Sequence, residues 1–199
     1  MESLKKAILL SGGMDSICLA YGLKPDLAYT INYGQNVAER EIYVSKIVCN
    51  QLEIEHKIIE VDCRKLGSGC LAEVNKHEIA PSPEWWPYRN QLLVTLGLMQ
   101  GIKDNITELH LASVKSDVFH KDGTQTFYKL INALCCYQEG NIKVRCDTTP
   151  YYTHELAQMY KVPYELLSIS HSCHISNVAC GTCNGCKKNL RVRYELNLY

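Results

Sequence analysis

Short apolar runs alternate with amphipathic segments along this chain of 199 residues. A run of four to eight apolar residues that ends in turn residues is typical of a buried strand, whereas apolar positions three and four apart indicate a helix. The first half of the chain predicts strands over 6–10, 27–33 and 57–61 and helices over 14–23 and 37–52. The second half predicts strands over 109–113 and 143–146 and helices over 90–100, 124–137 and 153–160.

The interval 63–88 interrupts this alternation. Its glycines and prolines prevent long regular elements; they are Gly67, Gly69, Pro81, Pro83 and Pro87. A loop of this length in a compact domain is often functional.

Strands separated by helices predict a parallel α/β sheet with helices on both faces. Ligands of such sheets bind at the carboxyl ends of the strands. The length suits a single domain over 1–199, and the cysteines set apart a C-terminal metal-binding segment, 168–199.

Composition and charge narrow the class of protein. Apolar residues make up 46% and charged residues 21%, which is typical of a globular chain and not of a disordered one. The 21 basic residues balance 21 acidic ones, which argues against a broad nucleic-acid surface. Residues 1–6 lack the apolar stretch of a signal peptide, and no membrane span is found. We therefore expect a cytoplasmic protein with no membrane partner.

A glycine-rich turn, Ser11-Gly12-Gly13-Met14-Asp15-Ser16, follows the first predicted strand and opens a helix. Glycines let backbone N–H groups approach an anion, and the helix N-terminus adds partial positive charge. Asp15 would repel a phosphate unless a cation lay between them, which predicts Mg²⁺ beside the phosphates. The sequence is neither a Walker A loop nor a dinucleotide fingerprint. The alternative is a capping turn with Ser11 or Asp15 as the helix cap.

The 11 cysteines are an odd number, so complete internal pairing is excluded. Four of them lie within 14 residues: Cys173, Cys180, Cys183 and Cys186. Four thiolates with Cys-x-x-Cys spacing predict a closed, structural zinc site. A [4Fe–4S] cluster, a redox Cys-x-x-Cys pair, and replacement of Cys173 by His171 or His174 remain open alternatives. The basic residues that follow are read as solvated or as lining a phosphate-facing edge; they are Lys187, Lys188, Arg191 and Arg193.

The glycine turn resembles the Ser-Gly-Gly-x-Asp-Ser signature of the PP-loop ATP pyrophosphatases. The resemblance implies an adenine nucleotide α-hydrolase-like fold that binds ATP and adenylates a substrate oxygen with release of pyrophosphate. It implies ATP contacts over 10–20, which are Leu10, Ser11, Gly12, Gly13, Met14, Asp15, Ser16, Ile17, Cys18, Leu19 and Ala20.

Over nearly its whole length the chain resembles the 7-cyano-7-deazaguanine synthase (QueC) family. The resemblance adds to the turn and the four cysteines the motifs Tyr33-Gly34-Gln35, Pro87-Tyr88-Arg89-Asn90 and Thr149-Pro150. It implies conversion of 7-carboxy-7-deazaguanine to the nitrile with ATP and ammonia, a structural zinc and a homodimer.

The resemblance also implies roles for single residues. The implied catalytic residues are Asp15, Ser16 and Arg89, and the implied substrate-binding residues are Tyr33, Gln35, Arg89, Asn90 and Asp117. The alternatives are a surface salt bridge for Arg89, a helix cap for Asn90, and a simple turn for Tyr33 and Gln35.

Two departures from the family pattern fall near the expected acceptor site. Asp122–Phe127 lacks the arginine and glutamate of the family's Asp-x-Arg-Pro-Glu-Phe stretch, and Thr153 stands where the family often has lysine. One alternative is therefore a QueC-like enzyme of the antiphage type, which conjugates a deazaguanine to a partner protein. A tRNA-thiolating PP-loop enzyme and a zinc-stabilised interaction module with an inactive ATP site are the others.

Overall fold

Five parallel strands form the centre of the protein in a computed structural model that describes residues 4–198. They are β1 (Lys6–Leu9), β2 (Leu27–Asn32), β3 (Glu55–Glu60), β4 (Glu108–His110) and β5 (Lys143–Arg145). The spatial order is β3-β2-β1-β4-β5, and every neighbouring pair is parallel. The sequence-based fold class is confirmed.

Seven α-helices cover the sheet within the described residues. They are α1 (Met14–Leu23), α2 (Ala38–Leu52), α3 (Arg89–Asp104), α4 (Gln125–Tyr137), α5 (Thr153–Tyr160), α6 (Tyr164–Ser168) and α7 (Asn184–Glu195). Short 3₁₀ turns occupy Arg64–Leu66, Gly69–Leu71, Lys115–Phe119 and Lys121–Gly123. Helices lie on both faces of the sheet, as predicted.

The alternating side chains of β1 and β2 explain the two layers. Ile8 and Ala28 point to the face where they pack with Ile17 of α1 and Val44 of α2. Their neighbours on the strands, among them Leu27, point to the opposite face. Because both faces are buried, these strands are continuously apolar, as expected of a parallel sheet.

The observed elements differ from the expected ones mainly at their ends. β4 pairs only over Glu108–His110, whereas 109–113 was predicted, and α3 extends to Asp104, beyond the predicted end at 100. Helices α6 and α7 were not predicted. α7 begins at Asn184-Gly185, two residues that favour turns, so its sequence does not predict a helix at this point.

No helix within residues 4–198 is long and apolar enough to cross a membrane. The expected lack of a signal peptide concerns residues 1–6, of which 1–3 lie outside the described residues.

Candidate active site and metal centre

A cleft of about 590 Å³ opens at the carboxyl ends of β1, β2 and β4. Its walls include Ser11 after β1, Tyr33 after β2 and Ser113 after β4, together with residues of the metal-binding segment. The volume is in the range of small-molecule sites. The position agrees with the rule that ligands of open α/β sheets bind at the carboxyl edge.

The glycine turn forms one wall of this cleft. Gly12 has φ +73°, and a Cβ there would lie 2.9 Å from the Cβ of Val44, so only glycine lets the turn approach α2 this closely. The Ser16 hydroxyl donates to the carbonyl oxygen of Gly13 at 3.0 Å. The N-cap of α1 is Gly13, without a side-chain cap hydrogen bond, so the alternative of a capping turn based on Ser11 or Asp15 is wrong.

Of the predicted ATP contacts, five line the cleft: Leu10, Ser11, Gly13, Asp15 and Ser16. The other six are not part of its lining; they are Gly12, Met14, Ile17, Cys18, Leu19 and Ala20. The five that carry side chains are buried in the core. They support the turn from behind.

Asp15 lies at the centre of a charged network. Its Oδ1 accepts a hydrogen bond from the Thr153 hydroxyl at 2.5 Å, and its Oδ2 lies 2.8 Å from Nζ of Lys188. The same ammonium lies 2.8 Å from Oδ1 of Asp117. Burial raises the pKa of Asp15, and the Lys188 ammonium offsets part of that rise. Burial would lower the pKa of Lys188, but the carboxylates of Asp15 and Asp117 raise it to about 12.

Arg89, the first residue of α3, lines the cleft together with Tyr33 and Glu41. Within residues 4–198 no carboxylate pairs with its guanidinium within 4.0 Å, so the alternative of a salt bridge is wrong. Burial would lower the pKa of Arg89, but Tyr33, Asp122 and Glu41 raise it. The guanidinium is therefore charged, and because its neighbour Tyr33 is a hydroxyl and not a carboxylate partner, it can bind an incoming anion.

Gln35 and Asn90 have their polar groups engaged within the protein. Gln35 is buried and lines a separate cavity; its Oε1 accepts from the Tyr33 N–H at 2.9 Å, and its Nε2 donates to Glu41 at 2.7 Å. Asn90 lines the cleft and donates through Nδ2 to the carbonyl oxygen of Asp122 at 2.8 Å. Gln35 thus lies outside the cleft and supports Tyr33 and Glu41.

Several charged residues of the cleft were not among the predicted site residues, and they include Glu41, Glu84 and Lys188. Burial raises the pKa of Glu41 to about 7, despite the Gln35 hydrogen bond and the Arg89 charge. Burial would also raise the pKa of Glu84, but hydrogen bonds from His120 and Asn184 lower it to about 2. The third is Lys188, in the basic group for which a phosphate-facing edge was the alternative. Glu41 follows the Tyr33-Gly34-Gln35 motif by six positions, and that spacing is the only sequence signal pointing to it.

The four clustered cysteines converge on one point. All four Sγ atoms lie within 4.8 Å of one another, and the pairs Cys180–Cys186 and Cys173–Cys183 are 3.9 and 4.0 Å apart. Metal–sulfur bonds of about 2.3 Å in a tetrahedron place sulfurs about 3.8 Å apart. The arrangement therefore fits a single tetrahedral metal ion.

Hydrogen bonds lower the pKa of two of these thiols and so favour the thiolate form that binds a cation. The Thr182 hydroxyl and the N–H of Cys183 lower the pKa of Cys180 to about 5. Burial would raise the pKa of Cys173, but backbone N–H groups, including that of Ile175, lower it. Burial raises the pKa of Cys186 to about 12. A bound metal would displace the proton of that thiol.

The histidines beside Cys173 are outside the group of metal-ligating atoms. His171 contacts the carbonyl oxygen of Ser176 through Nε2 at 3.1 Å, and His174 lines the cleft. Nδ1 of His174 is buried and has no hydrogen-bond partner within the described residues. The four sulfurs converge without a histidine nitrogen, so the alternative that a histidine replaces Cys173 is not supported.

Comparisons with known proteins match the whole length of the fold. A chain named 7-cyano-7-deazaguanine synthase from Campylobacter jejuni subsp. doylei is 30% identical, with 94% of this chain and 92% of the relative covered. Chains of the same name from Aliarcobacter butzleri and Methanocaldococcus jannaschii are 28% and 26% identical, each over 94% of this chain. They are covered over 90% and 94% of their own lengths.

One solved structure extends the comparison to the fold. It is the U34-tRNA thiolase NcsA from Methanococcus maripaludis with its [4Fe-4S] cluster, at a TM-score of 0.55 and 16% identity. The similarity covers 98% of this chain and 65% of that one, and at this identity it concerns the fold alone. A family model described as queuosine biosynthesis protein QueC matches residues 5–194, which contain the glycine turn, Arg89 and all four clustered cysteines. The chain belongs to this QueC family.

Proposed function

We propose that this protein converts 7-carboxy-7-deazaguanine and ammonia to 7-cyano-7-deazaguanine at the expense of ATP. The observation that carries the proposal is the position of Arg89: a half-buried guanidinium with no carboxylate partner within residues 4–198, which shares one cleft with the glycine turn. Membership of the QueC family and the names of the relatives support the same reaction.

The chemistry explains why such a site needs a nucleotide. A carboxylate is a poor electrophile, so its oxygen first attacks the α-phosphorus of ATP; an acyl adenylate forms and pyrophosphate leaves. Ammonia then displaces AMP and gives the primary amide. A second ATP adenylates the amide oxygen and releases pyrophosphate; the nitrogen then loses both of its protons, the C–O bond breaks, AMP leaves with the oxygen, and the nitrile remains. The protein's task is to position the reactants and to neutralise charge.

Each wall of the cleft has a part in this reaction. The turn from Ser11 to Ser16 binds the phosphates through its N–H groups and hydroxyls. Asp15 is the ligand for Mg²⁺, which supplies charge neutralisation to the phosphates. Arg89 forms a bidentate pair with the carboxylate of the acid and holds its oxygen toward the nucleotide. Tyr33 and Asp117 border the remaining space for the deazapurine.

We also propose that the metal ion is zinc. Sulfur–sulfur separations below 4.8 Å suit one ion, whereas the four irons of a [4Fe–4S] cluster would hold the sulfurs further apart. A full shell of four thiolates leaves no open position, so the role of zinc is structural. The reducing cytoplasm is the compartment that keeps these thiols free of disulfides.

The deazaguanine assay tests the reaction directly. The purified protein is incubated with ATP, Mg²⁺, ammonia and 7-carboxy-7-deazaguanine, and the product mass is measured. We expect a product one water lighter than the amide, with AMP and pyrophosphate. If the acid is not consumed, the proposed reaction is wrong.

The alternative functions gain no support from these comparisons. None of the relatives reported above is named for conjugation to a protein or for defence, and the thiolase similarity extends only to the fold. The expected homodimer stays a prediction, to be checked by light scattering.

A further inference from the structure

We propose that Lys188 binds the β- and γ-phosphates of ATP and that the metal centre holds this lysine in place. The inference rests on the proposed use of ATP, and it gives the metal-binding segment a part in nucleotide recognition. Lys188 lines the same cleft as Ser11 and Gly13 of the turn, although at least 175 positions separate them in the chain, and its Nζ lies 2.8 Å from Oδ2 of Asp15.

The metal ligands determine where α7 begins. Sγ of Cys183 accepts a hydrogen bond from the N–H of Cys186 and thereby caps the helix. Lys188 follows Cys186 by two positions, so its backbone lies within one helical turn of a metal ligand. A lysine on a free surface helix loses much rotamer freedom when it binds an anion. Here the backbone is held by the metal centre and the ammonium by two carboxylates.

The metal-binding segment is also attached to the turn itself. The first turn of α7 lies directly against the chain that carries Cys173, because a Cβ on Gly185 would be 1.8 Å from the carbonyl oxygen of Ser172. One residue before Ser172, the N–H of His171 donates to the carbonyl oxygen of Gly12 at 2.9 Å. The distance from turn to ammonium is therefore set by short, direct contacts.

The balance of charge explains why a phosphate would recruit this ammonium. In the protein without nucleotide, Lys188 is shared between the carboxylates of Asp15 and Asp117. Asp15 would bind a divalent ion that accompanies ATP, and with its charge neutralised in this way it would leave the Lys188 ammonium available to the phosphates. Among the described lysines and arginines, Lys188 alone forms an ion pair with Asp15. The neighbouring Lys187 is exposed and forms no ion pair within residues 4–198.

Nucleotide binding provides the test, because it needs neither the acid nor turnover. Affinities for the α,β-methylene analogue of ATP and for AMP are measured by calorimetry with Mg²⁺ present. The variants are Lys188→Ala, Lys188→Arg and, as a matched control, Lys129→Ala, an exposed lysine of α4. We expect Lys188→Ala to bind the ATP analogue about tenfold or more weakly and AMP within about twofold of wild type. Lys188→Arg should recover part of the loss, and Lys129→Ala should match wild type.

Two further variants distinguish phosphate binding by Lys188 from a loss of folding and from simple charge neutralisation. Lys188→Gln can still donate hydrogen bonds to both carboxylates, so it should fold with its metal and show the same selective loss. In Lys188→Gln combined with Asp117→Asn, one negative charge is also removed. If Lys188 only neutralises Asp15 and Asp117, this double variant regains affinity for the ATP analogue; direct phosphate binding predicts no recovery.

Three outcomes overturn the proposal: unchanged affinity for the ATP analogue in Lys188→Ala, equal losses for the analogue and AMP, or recovery in the double variant. A selective loss in a protein that leaves the deazaguanine acid unchanged would uphold the role of Lys188 and reject only the proposed substrate.

Discussion

The backbone N–H of His171 donates a hydrogen bond to the carbonyl oxygen of Gly12 at 2.9 Å. This contact joins the segment that holds the metal to the turn that faces the cleft. Gly12 is itself held against α2, where a Cβ would contact Val44 at 2.9 Å. Disorder in the metal-binding segment should therefore disturb the glycine turn through this backbone hydrogen bond.

Loss of one metal ligand should destabilise the protein and weaken nucleotide binding together. Cys180→Ser leaves three thiolates, and we expect the metal content to fall from about one zinc per chain to near zero. A loss of about 3 kcal/mol corresponds to a fall of about 6–12 °C in melting temperature for a chain of this size. Elemental analysis and calorimetry provide the measurements.

Cys136→Ser is the matched control for this prediction, since Cys136 is half-buried in α4 and outside the metal-binding group. It should retain metal and melt within about 2 °C of wild type. Iron and a brown colour in the purified wild-type protein would reject zinc.

Removal of the Asp15 charge should abolish ATP turnover and leave the fold intact. Asp15→Asn keeps the size of the side chain and an oxygen for the Thr153 hydroxyl. We expect pyrophosphate release to fall at least about 100-fold. Stability should change by less than about 1 kcal/mol, because burial already disfavours the charged form.

Asp62→Asn is the control for the Asp15 experiment. This exposed carboxylate pairs with Arg64 and lies outside the cleft. Its variant should turn over ATP like wild type. Full turnover by Asp15→Asn across a Mg²⁺ titration would disprove the magnesium role.

Substitution of Arg89 should affect the acid more than the nucleotide. Arg89→Lys keeps a positive charge but loses the planar pair of donors that matches a carboxylate. We expect KM for 7-carboxy-7-deazaguanine to rise about 10- to 100-fold, equivalent to about 1.5–3 kcal/mol. The affinity for the ATP analogue should stay within about twofold. An equal loss of both would assign Arg89 to the phosphates instead.

Glu41 should make the protein less stable as the pH rises from about 4.5 to about 7. Its pKa is raised from 4.5 to about 7 in the folded state, so within this range the folded chain holds a proton that the unfolded chain has lost. The stability from this group is complete below pH 4.5 and is lost as the pH passes through 7. The change in the free energy of unfolding is on the order of 3 kcal/mol.

Urea unfolding of wild type and Glu41→Gln at several pH values isolates this effect. The variant should be about equally stable at low pH and relatively more stable above pH 7, because it cannot acquire the buried charge. Glu60→Gln, on β3 and outside the cleft, should follow wild type. A constant difference between wild type and Glu41→Gln at all pH values would contradict the prediction.

Much of the fold follows from local patterns. β1 and α1 were predicted almost to the residue, because an apolar strand, two glycines and an apolar helix are contiguous. α7 was not predicted, since its first turn is Asn184-Gly185-Cys186 and its cap is the sulfur of a metal ligand. Helix propensity alone does not predict a helix whose start depends on a metal centre.

The candidate site was predictable where its parts are close in sequence. The turn and the four cysteines each form a continuous motif. The pair of Lys188 and Asp15 was not, because 173 positions separate the partners and only the tertiary fold joins them. Gln35 belongs to a recognisable motif, yet its side chain points away from the cleft, because its amide donates hydrogen bonds to Glu41 and to the carbonyl oxygen of Ile31.

The sheet order β3-β2-β1-β4-β5 gives the cleft two walls of different origin. The earlier strands β2 and β3 lie on one side of β1 in the sheet, and the later strands β4 and β5 lie on its other side. The glycine turn thus belongs to the first sixteen residues, while Arg89, Asp117 and Lys188 come from separate later segments. Single residues of the later segments can therefore change while the backbone of the turn stays the same, but Thr153 and Lys188 reach back to Asp15 and tie two of those segments to the turn. Of the two departures from the family pattern, Asp122–Phe127 lies on a later wall of the cleft, whereas Thr153 contacts the turn itself through Asp15.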